Sequence, residues 1–149
     1  MKNLLIAIRD YLRNDTDLNY VQDRSIFITF DEYWLPDSIA FPAISIKDGS
    51  IKNDQRLCKN YLQEMFVIIN VWQQALRDPE QLVIGDNSIL DMAETVKALL
   101  IDRKFSLEGL MNVFITDEGD SENFKEKNGS QYIQKKSIIV KYSWHKTWD

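Results

Sequence analysis

One cysteine, one histidine, three prolines and five glycines are a short supply for a chain of 149 residues. Each shortage removes a class of function. Cys58 alone cannot form an internal disulfide, which fits a reducing compartment. One cysteine and one histidine cannot make a zinc ligand set. His145 stands between Trp144 and Lys146, and Cys58 sits beside Lys59 in a polar connector. Neither has a companion base or acid in view that would make a nucleophilic or acid–base pair. No glycine loop for a phosphate and no Gly-x-Ser-x-Gly elbow occurs. These absences describe a protein without catalytic residues, cofactor or bound metal.

Positive charge is also scarce. Lys and Arg number 18 against 23 Asp and Glu, giving a net charge of −5. A nucleic-acid footprint needs clustered cations, so specific DNA or RNA binding is not expected. A wall past which DNA slides without sticking is compatible with this balance. No run reaches the roughly 20 apolar residues of a membrane span. Leu4–Ile8 after Lys2 has the outline of a signal peptide. Arg9 and Asp10 break it, and no small-residue cleavage site follows. The expectation is a soluble, intracellular chain of one domain, with enough apolar residues (44%) for a core.

What the chain does have is one very long strand signal. Tyr61–Gln74 is rich in aromatic and β-branched residues and contains no Gly or Pro. At full extension it reaches about 45 Å, far beyond the usual five or six residues. Such a strand either bends sharply or packs in part against another subunit, which favours an assembly protein over an enzyme.

The remaining elements follow from period and punctuation. Residues 2–14 read as an amphipathic helix with Leu4, Leu5, Ile8, Tyr11 and Leu12 on one face. Ser25–Phe30 reads as a short strand. Asp31–Ser38 is a loop, unusually apolar at Tyr33, Trp34 and Leu35. Ile39–Lys47 is a second strand, demoted at its start by Pro42, and Asp48-Gly49 is a turn. Residues 50–60 read as an irregular connection. Asp78-Pro79-Glu80 signals a helix start, with one short turn of helix before Gly85. Ser88 and Asp91 form a weak capping box for a helix on the stripe Ile89, Met92, Ala93, Val96, Leu99 and Leu100. Leu110–Thr116 and Gln131–Trp144 are strands. Between them Asp117–Ser130 reads as a polar segment, mobile until a partner orders it. The predicted core is Leu5, Ile8, Leu12, Val67, Ile69, Ala93, Val96 and Leu100.

Strands and helices do not alternate, so the fold class is α+β, a mostly antiparallel sheet with two main helices packed on one face. The candidate contact residues are aromatic or acidic. Tyr33, Trp34, Trp72, Trp144 and Trp148 either fill their own core or form an interface, where aromatics are enriched. Asp117, Glu118, Asp120 and Glu122, with Phe124 beside them, form an acidic cluster. Its spacing does not match an EF-hand loop. A solvated tip or a partner contact, with weak divalent binding as a further reading, accounts for it.

The whole pattern resembles the tail terminator (tail completion) proteins of long-tailed bacteriophages and prophages. The shared order is an N-terminal amphipathic helix and a strand entered through proline, Phe41-Pro42-Ala43-Ile44-Ser45-Ile46. A long strand from Met65 to Trp72 and a helix like Ile89–Leu100 follow. A strand pair split by a charged loop closes the pattern, ending in Ile138-Ile139-Val140-Lys141-Tyr142. The resemblance implies a single tail-terminator-like domain over residues 1–149 that forms a homo-oligomeric ring, usually a hexamer. That ring caps the tail tube, stops its polymerisation and meets the head–tail connector protein. DNA passes through it, and no cofactor takes part. It implies a place in the virion tail or neck, and in the bacterial cytoplasm during assembly. Other phage neck or head-completion proteins, or a small-molecule enzyme, are the alternatives.

Overall fold

A computed structural model describes residues 1–55, 58–75, 79–125 and 132–147. The chain begins with α1 (Lys2–Asn14), followed by two short 3-10 turns, Thr16–Leu18 and Asp23–Ser25. Strands β1 (Ile26–Ile28), β2 (Ala43–Gln55) and β3 (Asn60–Ala75) come next. Two helices follow, α2 (Pro79–Ile84) and α3 (Ile89–Leu100). Three further strands end the fold, β4 (Leu110–Glu118), β5 (Glu122–Lys125) and β6 (Tyr132–Thr147). The six strands form one sheet in the order β1-β2-β3-β6-β4, with β5 also pairing β6. Every pairing is antiparallel except β1 with β2, so the sheet is mixed but mostly antiparallel. Among the described residues no helix is long and apolar enough to cross a membrane.

The period-2 rule assigns the strand side chains to two faces. On one face the register lines up Ile28, Ile46, Ile69 and Ile138, then Val67, Val140 and Ile115, then Met65, Tyr142 and Val113. Leu4, Ile8 and Leu12 of α1 and Ile89, Met92, Ala93, Val96 and Leu100 of α3 join these strand residues in one buried cluster, against which the partly buried Ile28 and Ile115 pack. Leu4, Ile8 and Leu12 are spaced four apart, as the seam of a helix requires. Leu5 is turned to the margin of that seam and is only partly buried. The serine before α3 caps it, since Ser88 Oγ accepts from the Asp91 amide at 3.4 Å.

Several expectations are corrected. Asp48-Gly49 does not turn the chain. It forms a bulge, and β2 runs on through the supposed connection to Gln55, paired with β3 as far as Tyr61. The reason is local: a Cβ at position 49 would meet the Phe66 carbonyl oxygen at 2.7 Å, so the close approach needs glycine. The long β3 is paired along its whole length within this chain. It is flanked by β2 on one side and matched residue for residue by β6 on the other. Asp117–Ser130 is not one mobile segment. Asp117 and Glu118 belong to β4, and Glu122–Lys125 form β5 against β6. The Gly119 amide bonds the Ser137 carbonyl at 2.9 Å between them. Residues 126–130 of that segment, Trp148 and Asp78 lie outside the described residues.

One ionic cluster ties α3 to the sheet. Lys97 Nζ lies 2.7 Å from Glu118 Oε2 and also bonds Glu94, while Lys136 Nζ lies 3.5 Å from Glu118 Oε1. Hydrogen bonds to Glu118 and Glu94 hold the Lys97 ammonium above its ordinary pKa. Burial pushes the Glu118 carboxyl up, but the bond to Lys97 and the charges of Lys97 and Lys136 outweigh it and hold the group below its ordinary value of 4.5. A depressed carboxyl contributes stability above its unfolded pKa and loses it as pH falls through the folded one. Glu118→Gln should therefore cost about 1 kcal/mol near neutrality. The gap from wild type should close as pH falls below 4.5. Urea unfolding at a series of pH values measures it.

The core supports a second prediction. Val96 is fully buried, and Val96→Asp places an unpaired carboxylate there; the loss should be at least about 3 kcal/mol. Tyr142 is buried too, and its hydroxyl has no hydrogen-bond partner among the described residues. Burial raises its pKa well above the ordinary phenol value. Tyr142→Phe removes that unsatisfied group and should leave the melt unchanged or raise stability by about 1 kcal/mol. Thermal melts of the two variants check both directions.

Candidate contact surface

The sheet's second face, opposite the helices, carries a polar row at its centre. Ser45, Asn70 and Ser137 stand in one cross-strand register. Asn70 Nδ2 donates to Ser45 Oγ at 3.3 Å, Trp72 Nε1 donates to the same oxygen at 3.1 Å, and Ser137 Oγ donates to Asn70 Oδ1 at 2.6 Å. A buried amide is costly unless its groups are paired, and here each neighbour supplies a partner. This row fixes three strands against sliding, because a one-residue slip would carry all of these groups to the apolar face.

The next row is Trp72, Lys135 and Glu122, brought opposite one another by β3, β6 and β5. Lys135 is only 1% exposed. Its ammonium lies 4.1 Å from the centre of the Tyr33 ring, 6.0 Å from that of Trp72 and 3.5 Å from Glu122 Oε1. The Tyr33 hydroxyl donates to that same carboxylate oxygen at 3.3 Å. Phe124 packs on Tyr33 and on Trp72, with ring centres 6.2 and 6.1 Å away. Loss of solvent, the bond to Glu122 and the charges of Glu122, Glu32 and Asp31 push the Tyr33 hydroxyl above its ordinary pKa.

The loop that delivers Tyr33 is held by its own short-range bonds. Thr29 Oγ1 donates to the Asp31 carbonyl at 2.9 Å, and Asp31 Oδ1 accepts from the Tyr33 amide at 2.8 Å. The Trp34 amide closes the turn on the Asp31 carbonyl at 3.2 Å. These are the competing side-chain bonds that end a strand. They explain why β1 stops at Ile28 rather than at Phe30. Trp34 then packs edge-on to Phe27 at 6.0 Å and against Phe30 at 5.5 Å. Phe30 is 74% exposed, Tyr33 51% and Trp34 41%.

Four of the candidate contact residues, Tyr33, Trp72, Glu122 and Phe124, thus gather around Lys135, with Trp34 beside them. Trp72 is itself buried and supports the surface from beneath. Trp144 is elsewhere and is also buried, its Nε1 donating to the Glu108 carbonyl at 3.1 Å. The acidic cluster is dispersed. Glu118 faces α3, Glu122 faces Lys135, Asp117 accepts from the Glu118 amide, and Asp120 is exposed. Among the described residues no group of three His, Cys, Asp or Glu could hold a metal ion. An open depression of about 290 Å³ borders the loop, and among the described residues Asp37 is the one ionisable group lining it.

Lys135, Phe30 and the Ser45–Asn70–Ser137 row were missed from sequence. Asn70 offered the one visible signal, a lone amide inside Val67–Trp72. The buried ammonium yields a prediction. Among the described residues Glu122→Gln leaves it no carboxylate partner and should cost about 2 kcal/mol, whereas Lys135→Met removes charge but keeps volume and should stay within about 1 kcal/mol of wild type. Denaturant midpoints of both variants and of their combination measure the difference.

No protein-family model and no curated protein sequence matches the chain. Among solved structures, a chain in the virion of a native gene transfer agent (GTA) particle has a similar fold. The TM-score is 0.68 at 12% sequence identity, with the match covering 96% of this chain and 95% of that one.

Proposed function

We propose that the chain is a structural virion protein of the tail terminator type, one α+β domain that assembles into a ring, a hexamer in the simplest form. The ring caps the tail tube, ends its polymerisation and joins the tail to the head–tail connector, with DNA passing through unbound. It acts without catalysis, in the virion neck and in the bacterial cytoplasm during assembly. The observation that carries this reading is the end-to-end fold likeness to a chain of a virion particle, with almost no residue of either chain left over.

The sheet's edges support ring assembly. β1 pairs with β2 only over Ile44–Ile46, so among the described residues the rest of β2, to Gln55, has no strand on its outer side. β4 ends the sheet at the opposite side and exposes Met111 and Phe114. Two different open edges on one subunit suit a head-to-tail contact, and such contacts close into rings when the rotation allows.

Native mass spectrometry should find a closed ring of identical subunits. Met111→Lys with Phe114→Lys should leave the melt within about 1 kcal/mol, because both side chains are exposed, yet release monomers. Particles made with that variant should carry tails of irregular length. Normal-length tails that fail to join heads would instead favour a neck or head-completion role. A wild-type protein that stays monomeric beside tube protein would reject the ring.

A further inference from the structure

We propose that the aromatic loop Phe30–Trp34, with Phe124 and the carboxylates of Asp31, Glu32 and Glu122, is a docking surface for a basic extended segment of a partner protein. Lysine or arginine side chains of that segment would lie over the exposed rings. The inference rests on this surface alone and stands whether or not the chain caps a tail.

Three observations converge. The rings of Phe30 and Trp34, and of Tyr33 and Phe124, touch in pairs, and all four side chains remain exposed. Scattered exposed aromatics need no explanation, but two such pairs, linked through the consecutive residues Tyr33 and Trp34 of one short loop, do. The carboxylates of Glu122, Glu32 and Asp31 all act on the Tyr33 hydroxyl, while the Lys135 ammonium beside that ring is buried, so among the described residues the outward charge is acidic. Carboxylates beside aromatic faces select cations and repel phosphates, which sets a protein segment ahead of nucleic acid. The third is internal: the same surface already holds one ammonium, Lys135, between the Tyr33 ring and Glu122. A partner's cation would repeat that contact on the outer side, at Phe30, Trp34 and Glu32.

The loop is also prepared for binding. Its turn is fixed by Thr29 and Asp31 before any partner arrives, so little ordering entropy is lost on contact.

The test titrates hexalysine into the full-length protein, following tryptophan emission and calorimetry, with hexaglutamate as control. Among the described residues Trp34 is the exposed tryptophan, because Trp72 and Trp144 are buried, and a Trp148→Phe background leaves it as the reporter. Saturable one-to-one binding that weakens with salt is expected. Phe30→Ala should raise Kd roughly fivefold, the value of one exposed cation–π contact, and Glu32→Gln should raise it further when combined. Asp102→Asn removes the same single charge just beyond α3 and should change Kd less than twofold, within about 0.4 kcal/mol. Equal losses in both sets of variants would mean general attraction to an acidic protein and would overturn the proposal, as would no saturation by millimolar peptide. Self-association abolished by Phe30→Ala would assign the surface to a second copy and overturn it too.

Discussion

The register between β3 and β6 is the constraint on which the rest of the molecule depends. Asn60 pairs with Thr147 and Ala75 with Tyr132, with no bulge between. The paired length is about 50 Å. Because side chains alternate, this single register decides both faces together. It sets Met65, Val67 and Ile69 against Tyr142, Val140 and Ile138 under the helices, and Trp72 and Asn70 against Lys135 and Ser137 on the other side. Bulges occur only in the flanking strands, between Asp48 and Ile51 in β2 and at two points in β4. The flanking strands absorb the irregularities while the central pair keeps an unbroken register.

Each face solves a different problem. The helix side is apolar except at its margin, where Glu118 meets Lys97 and Lys136. Burial of Ile, Val and Leu there provides the bulk of the stability, by an effect without direction. The second face carries directional groups, a hydrogen-bonded row of two serines and an asparagine, then an ammonium clasped by rings and a carboxylate. Such groups contribute less net energy but penalise wrong registers heavily. They also form a stiff floor under the exposed aromatic loop, so recognition chemistry is built on the sheet rather than on free chain.

The legibility of the sequence differed by element. α1, α3 and β3 were readable because a helix stripe or an uninterrupted apolar strand is a local signal. Glycine at 49 was legible as backbone punctuation but misread, since a bulge and a turn use the same residue for different reasons. Asp117, Glu118 and Glu122–Lys125 were misread as loop because their composition is polar. A strand at the edge of a sheet can be polar when its partner, here β6, supplies the hydrogen bonds. The aromatic and acidic contact residues could be picked by type, but only some of them share a place.

The sequence by itself determined the α+β class, the two main helices, the long central strand and a core set of which all but Leu5 are buried. Each of these depends on side-chain period within a dozen or so neighbours. Tertiary structure alone decided that β1 runs parallel to β2, that Glu118 and Glu122 face opposite sides of one sheet, and that Lys135 is buried beneath Tyr33. The physical reason is range. Tyr33, Trp72, Glu122 and Lys135 are separated by tens of residues and meet only through strand register, which no local pattern encodes.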